Sequence, residues 1–366
     1  MNPAGAHAPD TRIRVMVVDD SAIVRGLVVR MLESEPGIVV TATCSNGEMA
    51  VREIGRRPCD VVVLDIEMPV LDGLATLPKL LAAAPGVRIL MASTLTQRNA
   101  EISLEALARG ASDYIPKPTT GQLGGSAQFR QVLLEKVLAL GRRKPATPAP
   151  YRAKGAEPAK ATGWALLPAA APRRPQIVAI GSSTGGPQAL MSLLAGLPPG
   201  VDAPIVIAQH MPPTFTTILA QHLSRVGPRP GAEATDGETV LPGRVYLAPG
   251  DFHMELDRCG STLKVRLTRE PPENFCRPSV NPLFRSVARL FGGRAAGVML
   301  TGMGSDGLDG ARDLVRAGGS LVAQDEASSV VWGMPGAVAQ AGLCHAVLPL
   351  AGIAPYLAGL FEKARP

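Results

Sequence analysis

The sequence contains no apolar run that approaches the about eighteen residues needed to span a bilayer, and its N-terminus lacks the basic, apolar and small-residue order of a secretory signal. We therefore expect a cytoplasmic protein without stable membrane insertion. Cysteine is scarce: the five cysteines form no C-x-x-C pair and are odd in number. This argues against a disulfide framework or a thiolate zinc site, so we expect ordinary reduced thiols.

The chain also lacks a basic domain, although its net charge is +6. Between Arg142 and Arg174 eight basic residues stand against one acidic residue, a net +7 that leaves −1 for the rest of the chain. This stretch is rich in proline and alanine and shows no amphipathic period, which predicts a semi-extended linker over 142–174. No helix-turn-helix with a basic recognition helix is visible either, so we expect no nucleic-acid partner.

At 366 residues the chain is long enough for two domains, which the linker places at 11–141 and 175–366. In both, short apolar runs alternate with helical patterns, which is typical of a parallel sheet covered by helices on both faces. The predicted fold class is therefore α/β, with two doubly wound parallel sheets. The predicted strands are Ile13–Val18, Val39–Thr43, Val61–Leu64, Arg88–Ala92 and Asp113–Ile115, then Ile177–Ile180, Ile205–Ala208, Arg244–Leu247, Ala296–Leu300 and Ser320–Ala323.

Polar side chains follow the first, third and fifth strands of the first domain, where an open α/β sheet binds ligands. They are Asp19 and Asp20, Asp65, and Lys117. Crowded carboxylates repel one another unless a cation lies among them, and Mg²⁺ is the natural candidate. Single aspartates could instead be helix N-caps, but that does not explain the four positions together.

This set resembles the receiver domain of bacterial response regulators, a flavodoxin-like fold. The matching residues are Asp19-Asp20, Asp65 within V-V-V-L-D-I-E-M-P, Gly73, Ser93 and Lys117-Pro118. The resemblance implies that Asp65 accepts the phosphoryl group. It also implies a Mg²⁺ cofactor, with Asp19, Asp20, Asp65 and the main chain of Glu67 around it and Asp20 and Asp65 as carboxylate ligands.

The same resemblance implies a switch that responds to the phosphoryl group. The hydroxyl of Ser93 would sense the phosphoryl group, and Lys117 would form an ion pair with it. Tyr114 would be the aromatic side chain that changes rotamer. Thr94 remains an alternative to Ser93, because the two residues are adjacent.

In the second domain, the segment Gly181–Gly186 follows an apolar run and precedes a helical pattern. Read as G-x-S-x-G, it places Ser183 on a sharp strand-to-helix turn whose glycines would present the hydroxyl at the end of the sheet. Such a hydroxyl suits a nucleophile. The alternative is a glycine-rich turn that only tightens the chain or binds an anion at the helix N-terminus.

A serine nucleophile needs a base and an orienting carboxylate. His210 follows the strand Ile205–Ala208 and so should lie at the same sheet edge as Ser183. His253, expected on a loop near the site, is the rival, whereas packing roles are expected for the two remaining candidates, His222 and His345.

Asp306 lies in the glycine-rich turn that follows the strand Ala296–Leu300, which can bring a carboxylate and free main-chain amides to one point. Asp309 is an alternative, but it is expected at the start of the next helix as an N-cap. The resulting order Ser183, His210, Asp306 differs from those of α/β-hydrolases, chymotrypsin-like enzymes and subtilisins.

G-S-S-T-G-G, Q-H-M-P, A-P-G-D-F-H, R-P-S-V and T-G-M-G-S-D-G behind a receiver are similar to the chemotaxis protein-glutamate methylesterases, the CheB family. The resemblance implies a Rossmann-like catalytic domain without a metal that hydrolyses glutamate γ-methyl esters, and deamidates glutamines, on the cytoplasmic helices of chemoreceptors. We expect main-chain amides near Met303 and Thr184 to form the oxyanion hole. One departure is Asn281, where the family usually carries an aspartate.

The family resemblance also implies partners: chemoreceptors as substrates and the chemotaxis histidine kinase as phosphodonor, with the chain itself a monomer. Two other functions stay open. One is a catalytically silent response regulator that acts by binding receptors or kinase, and the other is a stand-alone serine hydrolase of small esters.

Overall fold

The structure, a computed structural model, describes residues 11–94, 96–117, 126–141, 165–168 and 173–362. It contains two compact units, each built around its own parallel sheet. Among the residues described, no helix combines the length and the apolar character needed to cross a membrane. Pro118 and most of the predicted linker 142–174 lie outside the described residues, so the domain boundaries stay predictions.

The first sheet is five-stranded and parallel, in the order β2-β1-β3-β4-β5. Its strands are β1 Ile13–Val18, β2 Ile38–Cys44, β3 Val61–Asp65, β4 Arg88–Ser93 and β5 Asp113–Pro116. The helices that alternate with them are α1 Ala22–Glu33, α2 Gly47–Ile54, α3 Gly73–Ala83, α4 Gln97–Ala108 and α5 Ser126–Gly141. Strand β3 is buried throughout, because helices cover both faces of a parallel sheet.

The first three helices of this unit each begin at a residue whose side chain caps the helix N-terminus. Ser21, Asn46 and Asp72 each accept a main-chain N–H of the first turn of α1, α2 and α3. Directly after Asp72, a Cβ atom on Gly73 would lie 2.1 Å from the carbonyl oxygen of Asp65. Only glycine lets α3 begin this close to the end of β3, which holds the loop after Asp65 in place.

The second sheet has seven parallel strands in the order β14-β13-β12-β6-β7-β9-β8. They are β6 Ile177–Ser182, β7 Ile205–Gln209, β8 Gly231–Glu233, β9 Val245–Leu247, β12 Ala295–Met299, β13 Ser320–Gln324 and β14 Ala346–Leu348. The helices are α6 Gly186–Gly196, α7 Pro213–Val226, α8 Val280–Phe291, α9 Leu308–Arg316, α10 Met334–Gln340 and α11 Leu350–Glu362. The predicted fold class of two parallel α/β sheets is confirmed, as is each of the predicted strands within two residues.

Four strands were not predicted: β8, β14 and an antiparallel hairpin of β10 His253–Cys259 and β11 Thr262–Thr268. The hairpin forms a two-stranded sheet of its own. Its sequence signal is Gly260-Ser261 between the two strands, with Gly260 at a φ of 62° that suits glycine. The prediction that His253 lies on a loop is therefore wrong, because it begins β10.

Part of the predicted linker contacts the second unit. The main-chain N–H of Leu167 donates to the carbonyl oxygen of Cys344 at 2.9 Å. Arg174 pairs with Asp202 at 2.9 Å. Residues 165–168 and 173–174 therefore lie against the second unit.

Candidate active site and candidate phosphorylation site

Ser183 is the first residue after β6, on the turn into α6. Its main-chain N–H donates to the carbonyl oxygen of Thr301 at 3.0 Å. Gly185, at a φ of 76°, adopts the left-handed conformation that lets the helix begin one residue later. Ser183 is partly exposed, whereas its neighbour Ser182 is fully buried, with its hydroxyl donating to Gln209 Oε1 at 2.7 Å.

His210 is brought beside this turn by the pairing of β6 with β7. Ser182 is in register with Gln209, and the main-chain N–H of His210 donates to the carbonyl oxygen of Ser182 at 3.2 Å. The first residues beyond the two strands, Ser183 and His210, thus lie at the same sheet edge. Within the described residues, no hydrogen bond joins the Ser183 hydroxyl to the His210 ring.

Asp306 lies in the loop after β12 and is buried, with both oxygens of its carboxylate engaged. Oδ2 accepts from His210 Nε2 at 2.8 Å and from the main-chain N–H of Val280 at 2.7 Å. Oδ1 accepts from the Ser279 hydroxyl at 2.7 Å and from Asn274 Nδ2 at 3.0 Å. Four donors hold the carboxylate in one orientation, facing the His210 ring.

These contacts shift the pKa values of Asp306 and His210. Burial raises the pKa of Asp306, but the hydrogen bond and charge of His210, with the donors from Val280 and Ser279, outweigh it and lower the pKa to about 2. Burial lowers the pKa of His210, but the electrostatic interaction with Cys276 and the hydrogen bonds to Asp306 and Cys276 outweigh it and raise the pKa to about 10. Asp306 is thus a carboxylate over the whole neutral range, and the site favours the imidazolium form of His210.

Cys276 was not singled out from the sequence, yet its Sγ lies 3.3 Å from His210 Nδ1. Asn274 and Ser279 were also missed as partners of Asp306, although Ser279 belongs to the R-P-S-V motif. Nothing in the sequence near Cys276 signals its contact with a residue 66 positions away. A cysteine three residues before a helix N-cap has no spacing that points to a histidine.

The two residues expected at the oxyanion hole belong to the turn after β6 and to the loop after β12. Thr184 follows it, is buried, and accepts the Thr301 hydroxyl at its carbonyl oxygen at 2.9 Å. Met303 follows Gly302, where a Cβ atom would lie 3.0 Å from Ser183 Cβ. Within the part of the chain described here, the main-chain N–H of Met303 has no acceptor. The loop after β12 therefore passes close to Ser183, and the oxyanion hole at Met303 and Thr184 stays a prediction.

The other candidate residues of the second domain have contacts or positions outside the Ser183, His210 and Asp306 cluster. His253 is buried, donates from Nε2 to the carbonyl oxygen of Pro271 at 3.1 Å and accepts the main-chain N–H of Ser279 at Nδ1, at 3.2 Å. His345 Nδ1 accepts the main-chain N–H of Leu321 at 3.1 Å. His222 lies half-buried within α7. Asp309 is exposed in the first turn of α9, whose N-cap is Gly307 and not Asp309 as expected.

In the first unit, Asp19, Asp20 and Asp65 converge at the carboxyl end of the sheet, with ligand atoms within 4.8 Å of one another. Asp19 and Asp65 are buried and Asp20 is exposed. Lys117 Nζ lies 2.7 Å from Asp19 Oδ2 and 2.7 Å from Asp65 Oδ1. Three hard oxygen donors, one open to solvent, fit Mg²⁺, which binds through a few carboxylates and keeps several waters.

Burial raises the pKa of Asp65 to about 6, against the opposing charge of Lys117 and a hydrogen bond from the main chain of Glu67. The charge of Asp19 adds to the rise. Glu67 itself is exposed. The main chain at Glu67 therefore lies at the carboxylate, where the receiver resemblance places it.

The predicted switch residues line the same end of the sheet. Ser93 is fully buried and its hydroxyl donates to the carbonyl oxygen of Thr94 at 3.1 Å, while its own carbonyl oxygen accepts from the main chain of Lys117. Thr94 is half-buried. Tyr114 is buried, which raises the pKa of its phenol, with Lys136 Nζ 5.9 Å from the ring centroid.

Comparison with known proteins gives a family match for each of the two parts of the chain. The family description "CheB methylesterase" matches residues 178–357, and "Response regulator receiver domain" matches residues 15–123. The protein-glutamate methylesterase/protein-glutamine glutaminase of Azospirillum brasilense is 54% identical, over 99% of this chain and 96% of the relative. A protein of the same description from Paramagnetospirillum magneticum is 52% identical, over 96% of this chain and 97% of the relative.

The chain belongs to the CheB family. The crystal structure of the CheB methylesterase catalytic domain of Thermotoga maritima is 41% identical, with a TM-score of 0.50, and it covers 51% of this chain and 100% of that one. The C-terminal sheet described above is thus the CheB methylesterase fold.

Asn281, the departure from the usual CheB pattern, lies in the first turn of α8. It is buried, and its Oδ1 accepts the main-chain N–H of Gly310 in α9 at 2.8 Å. An aspartate would offer the same acceptor. The departure therefore concerns the packing of α8 against α9 and leaves the four donors to Asp306 in place.

Proposed function

We propose that the chain is a phosphorylation-regulated serine hydrolase that removes γ-methyl groups from glutamate esters on chemoreceptor helices in the cytoplasm. The observation that carries the proposal is the His210 Nε2–Asp306 Oδ2 pair at 2.8 Å, at the sheet edge that also presents Ser183. A buried carboxylate that orients a histidine next to a partly exposed serine is the arrangement that activates a serine nucleophile.

In the proposed reaction, His210 removes the proton of Ser183 as the serine oxygen attacks the ester carbonyl carbon. Since Asp306 holds Nε2, the nitrogen that takes this proton is Nδ1. The main-chain amides near Met303 and Thr184 stabilise the negative charge on the carbonyl oxygen. The bond from the carbonyl carbon to the methoxy oxygen then breaks, and that oxygen takes the proton of Nδ1 and leaves as methanol. A water, activated by the same base, then hydrolyses the acyl-serine.

The same groups suit a glutamine side chain, from which ammonia would leave in place of methanol. An amide is the harder substrate because its leaving group must be protonated before it departs. Both activities lead to one product, a free glutamate on the receptor. The relatives' printed names, which combine a methylesterase and a glutaminase, support this pairing of activities.

Regulation is proposed to begin at Asp65, which accepts a phosphoryl group from a histidine kinase, here the chemotaxis kinase. Asp19, Asp20 and Asp65, with the main chain of Glu67, would hold Mg²⁺, which neutralises charge during phosphoryl transfer. Lys117, within 2.7 Å of Asp65, is placed to pair with the phosphoryl oxygens. Ser93 and Tyr114 would then rearrange and release a restraint on the catalytic unit.

Methanol release from methylated receptor membranes, with and without a small phosphodonor, tests the proposal. We expect release that rises with the phosphodonor and that the Asp65→Asn variant does not increase. A catalytically silent response regulator would release no methanol under either condition. Rapid turnover of small esters that is indifferent to Asp65 would instead favour a stand-alone serine hydrolase.

A further inference from the structure

The segment 274–276 joins the two residues that orient the proposed nucleophile. Asn274 and Phe275 have φ values of 50° and 63°, in the left-handed region that asparagine tolerates but phenylalanine seldom adopts. At one end Asn274 Nδ2 donates to Asp306 Oδ1, and at the other Cys276 Sγ contacts His210 Nδ1. Unfavourable backbone conformations persist where surrounding contacts hold them, and here the contacts are with the site itself.

Both ring nitrogens of His210 have partners within the described residues: Asp306 at Nε2 and Cys276 at Nδ1, the latter at 3.3 Å. The thiol of Cys276 also reaches the carbonyl oxygen of Asn274 at 3.3 Å. When the thiol proton points to that carbonyl, the sulfur is left as an acceptor for Nδ1–H. A doubly protonated ring is then fully hydrogen-bonded, with a donor pointing at Asp306 and another at Cys276.

To act as the base in the proposed reaction, His210 must instead be neutral, with one ring nitrogen unprotonated. Asp306 occupies Nε2, so the only ring nitrogen that can take the Ser183 proton is Nδ1, and it must carry a lone pair. That nitrogen is the one in contact with Cys276. The sulfur and the serine hydroxyl therefore need the same atom of the same ring.

We propose that Cys276 is a positioning residue of the esterase: its sulfur holds Nδ1 of His210, competes with Ser183 for that nitrogen, and keeps the base restrained in the resting enzyme. The inference rests on the proposed function. Ester hydrolysis begins when the contact between His210 Nδ1 and the Cys276 sulfur breaks and the Ser183 hydroxyl forms a hydrogen bond to Nδ1 instead.

Electrostatics supports this role. Among the residues that the structure describes, two titratable groups face the ring, Asp306 from the loop after β12 and Cys276 from the segment before α8. Burial lowers the pKa of His210, and of the causes that raise it the electrostatic interaction with Cys276 is the largest. Removing the thiol should therefore lower this pKa while Asp306 keeps the ring oriented. Because only the neutral ring can accept a proton, activity rises with pH through the His210 pKa, and a lower pKa moves that rise to lower pH.

The test is the pH dependence of kcat/KM for methanol release by wild type, Cys276→Ala and Cys276→Ser, with Cys259→Ala as the control. Cys259 is an exposed thiol at the end of β10. We expect the ascending limb of Cys276→Ala to move to lower pH by about one unit or more, which is about tenfold more activity on that limb. Cys276→Ser should move similarly and keep kcat, because its hydroxyl still bonds Nδ1 but, unlike a thiol, does not ionise. Cys259→Ala should superimpose on wild type.

A Cys276→Ala limb that superimposes on wild type or moves to higher pH would overturn the proposal, as would a fall in kcat without a shift. If Cys276→Ala does not fold, the serine variant carries the same comparison. Titration of the His210 ring nitrogens by NMR, in the full chain, reads the effect of the thiol without turnover. Absence of methanol release from wild type would count against the proposed function, whereas an unchanged His210 titration would count against Cys276 alone.

Discussion

The hydroxyl of Ser182 donates a hydrogen bond to the side-chain carbonyl oxygen of Gln209 at 2.7 Å. Gln209 in turn donates from Nε2 to the carbonyl oxygen of Ser183 at 3.0 Å. A Cβ atom at Gly186 would lie 2.0 Å from Gln209 Oε1, so only glycine leaves room for this amide. Of two adjacent serines, the first thus shapes the turn and the second presents its hydroxyl at the sheet edge.

The different roles of Ser182 and Ser183 predict opposite results for their alanine variants. Ser183→Ala should lower kcat for methanol release by about four orders of magnitude or more, as loss of a nucleophile does, without loss of stability. Ser182→Ala should cost about 1–3 kcal/mol in the free energy of unfolding, because it leaves buried Gln209 with one partner fewer, and should keep measurable turnover. Urea unfolding and methanol release measure the two effects. Turnover that survives in Ser183→Ala, or disappears in folded Ser182→Ala, would mean that the wrong serine is assigned.

Removing the first unit should raise basal activity if that unit restrains the catalytic one. A chain that begins at residue 165 retains the Leu167–Cys344 hydrogen bond and the Arg174–Asp202 ion pair. We expect it to release methanol faster than the unphosphorylated full chain and to ignore a phosphodonor. Full-length Asp65→Asn is the matched control, with low basal activity and no stimulation. Equal basal rates for the truncated and full-length chains would exclude restraint by the receiver.

The carboxylate cluster predicts where Mg²⁺ binds. Asp20→Asn should weaken Mg²⁺ binding by about tenfold or more, because affinity follows the number of charged ligands, and should leave stability unchanged since Asp20 is exposed. Glu48→Gln is the control, because it removes the same charge from an exposed position in α2. Calorimetric titration with MgCl₂ measures both. Equal affinity in Asp20→Asn and wild type would place the cation elsewhere.

Much of the fold follows from patterns that are local in sequence. Strands such as β3 and β6 are apolar runs between helical patterns, and the carboxyl ends of parallel strands share an edge. That geometry is enough to expect Asp19 near Asp65, and Ser183 near His210. The hairpin of β10 and β11 was missed because β10 alternates weakly and carries charged residues in its second half.

The contacts that complete the site are not local. Asn274 and Cys276 reach Asp306 and His210 across 32 and 66 residues. Asn274 is a common turn residue, but the left-handed conformation of Phe275 is not one that its residue type predicts. What the sequence could not supply is therefore the set of partners that fix protonation and orientation, and these depend on the folded path of one irregular loop.

Asn281 offers a test of how α8 and α9 are joined. Its Oδ1 accepts the main-chain N–H of Gly310 at 2.8 Å, and a Cβ atom at Gly310 would lie 2.9 Å from the Asn281 carbonyl oxygen, so the helices touch here. Asn281→Ala should lower the free energy of unfolding by about 1–3 kcal/mol, because a buried donor loses its acceptor. Asn281→Asp should stay within about 1 kcal/mol of wild type, since it keeps the acceptor and places negative charge at the N-terminus of α9. Urea unfolding of the three proteins at one pH measures the difference, and an equal loss in both variants would show that the amide group, not the acceptor, is what the site requires.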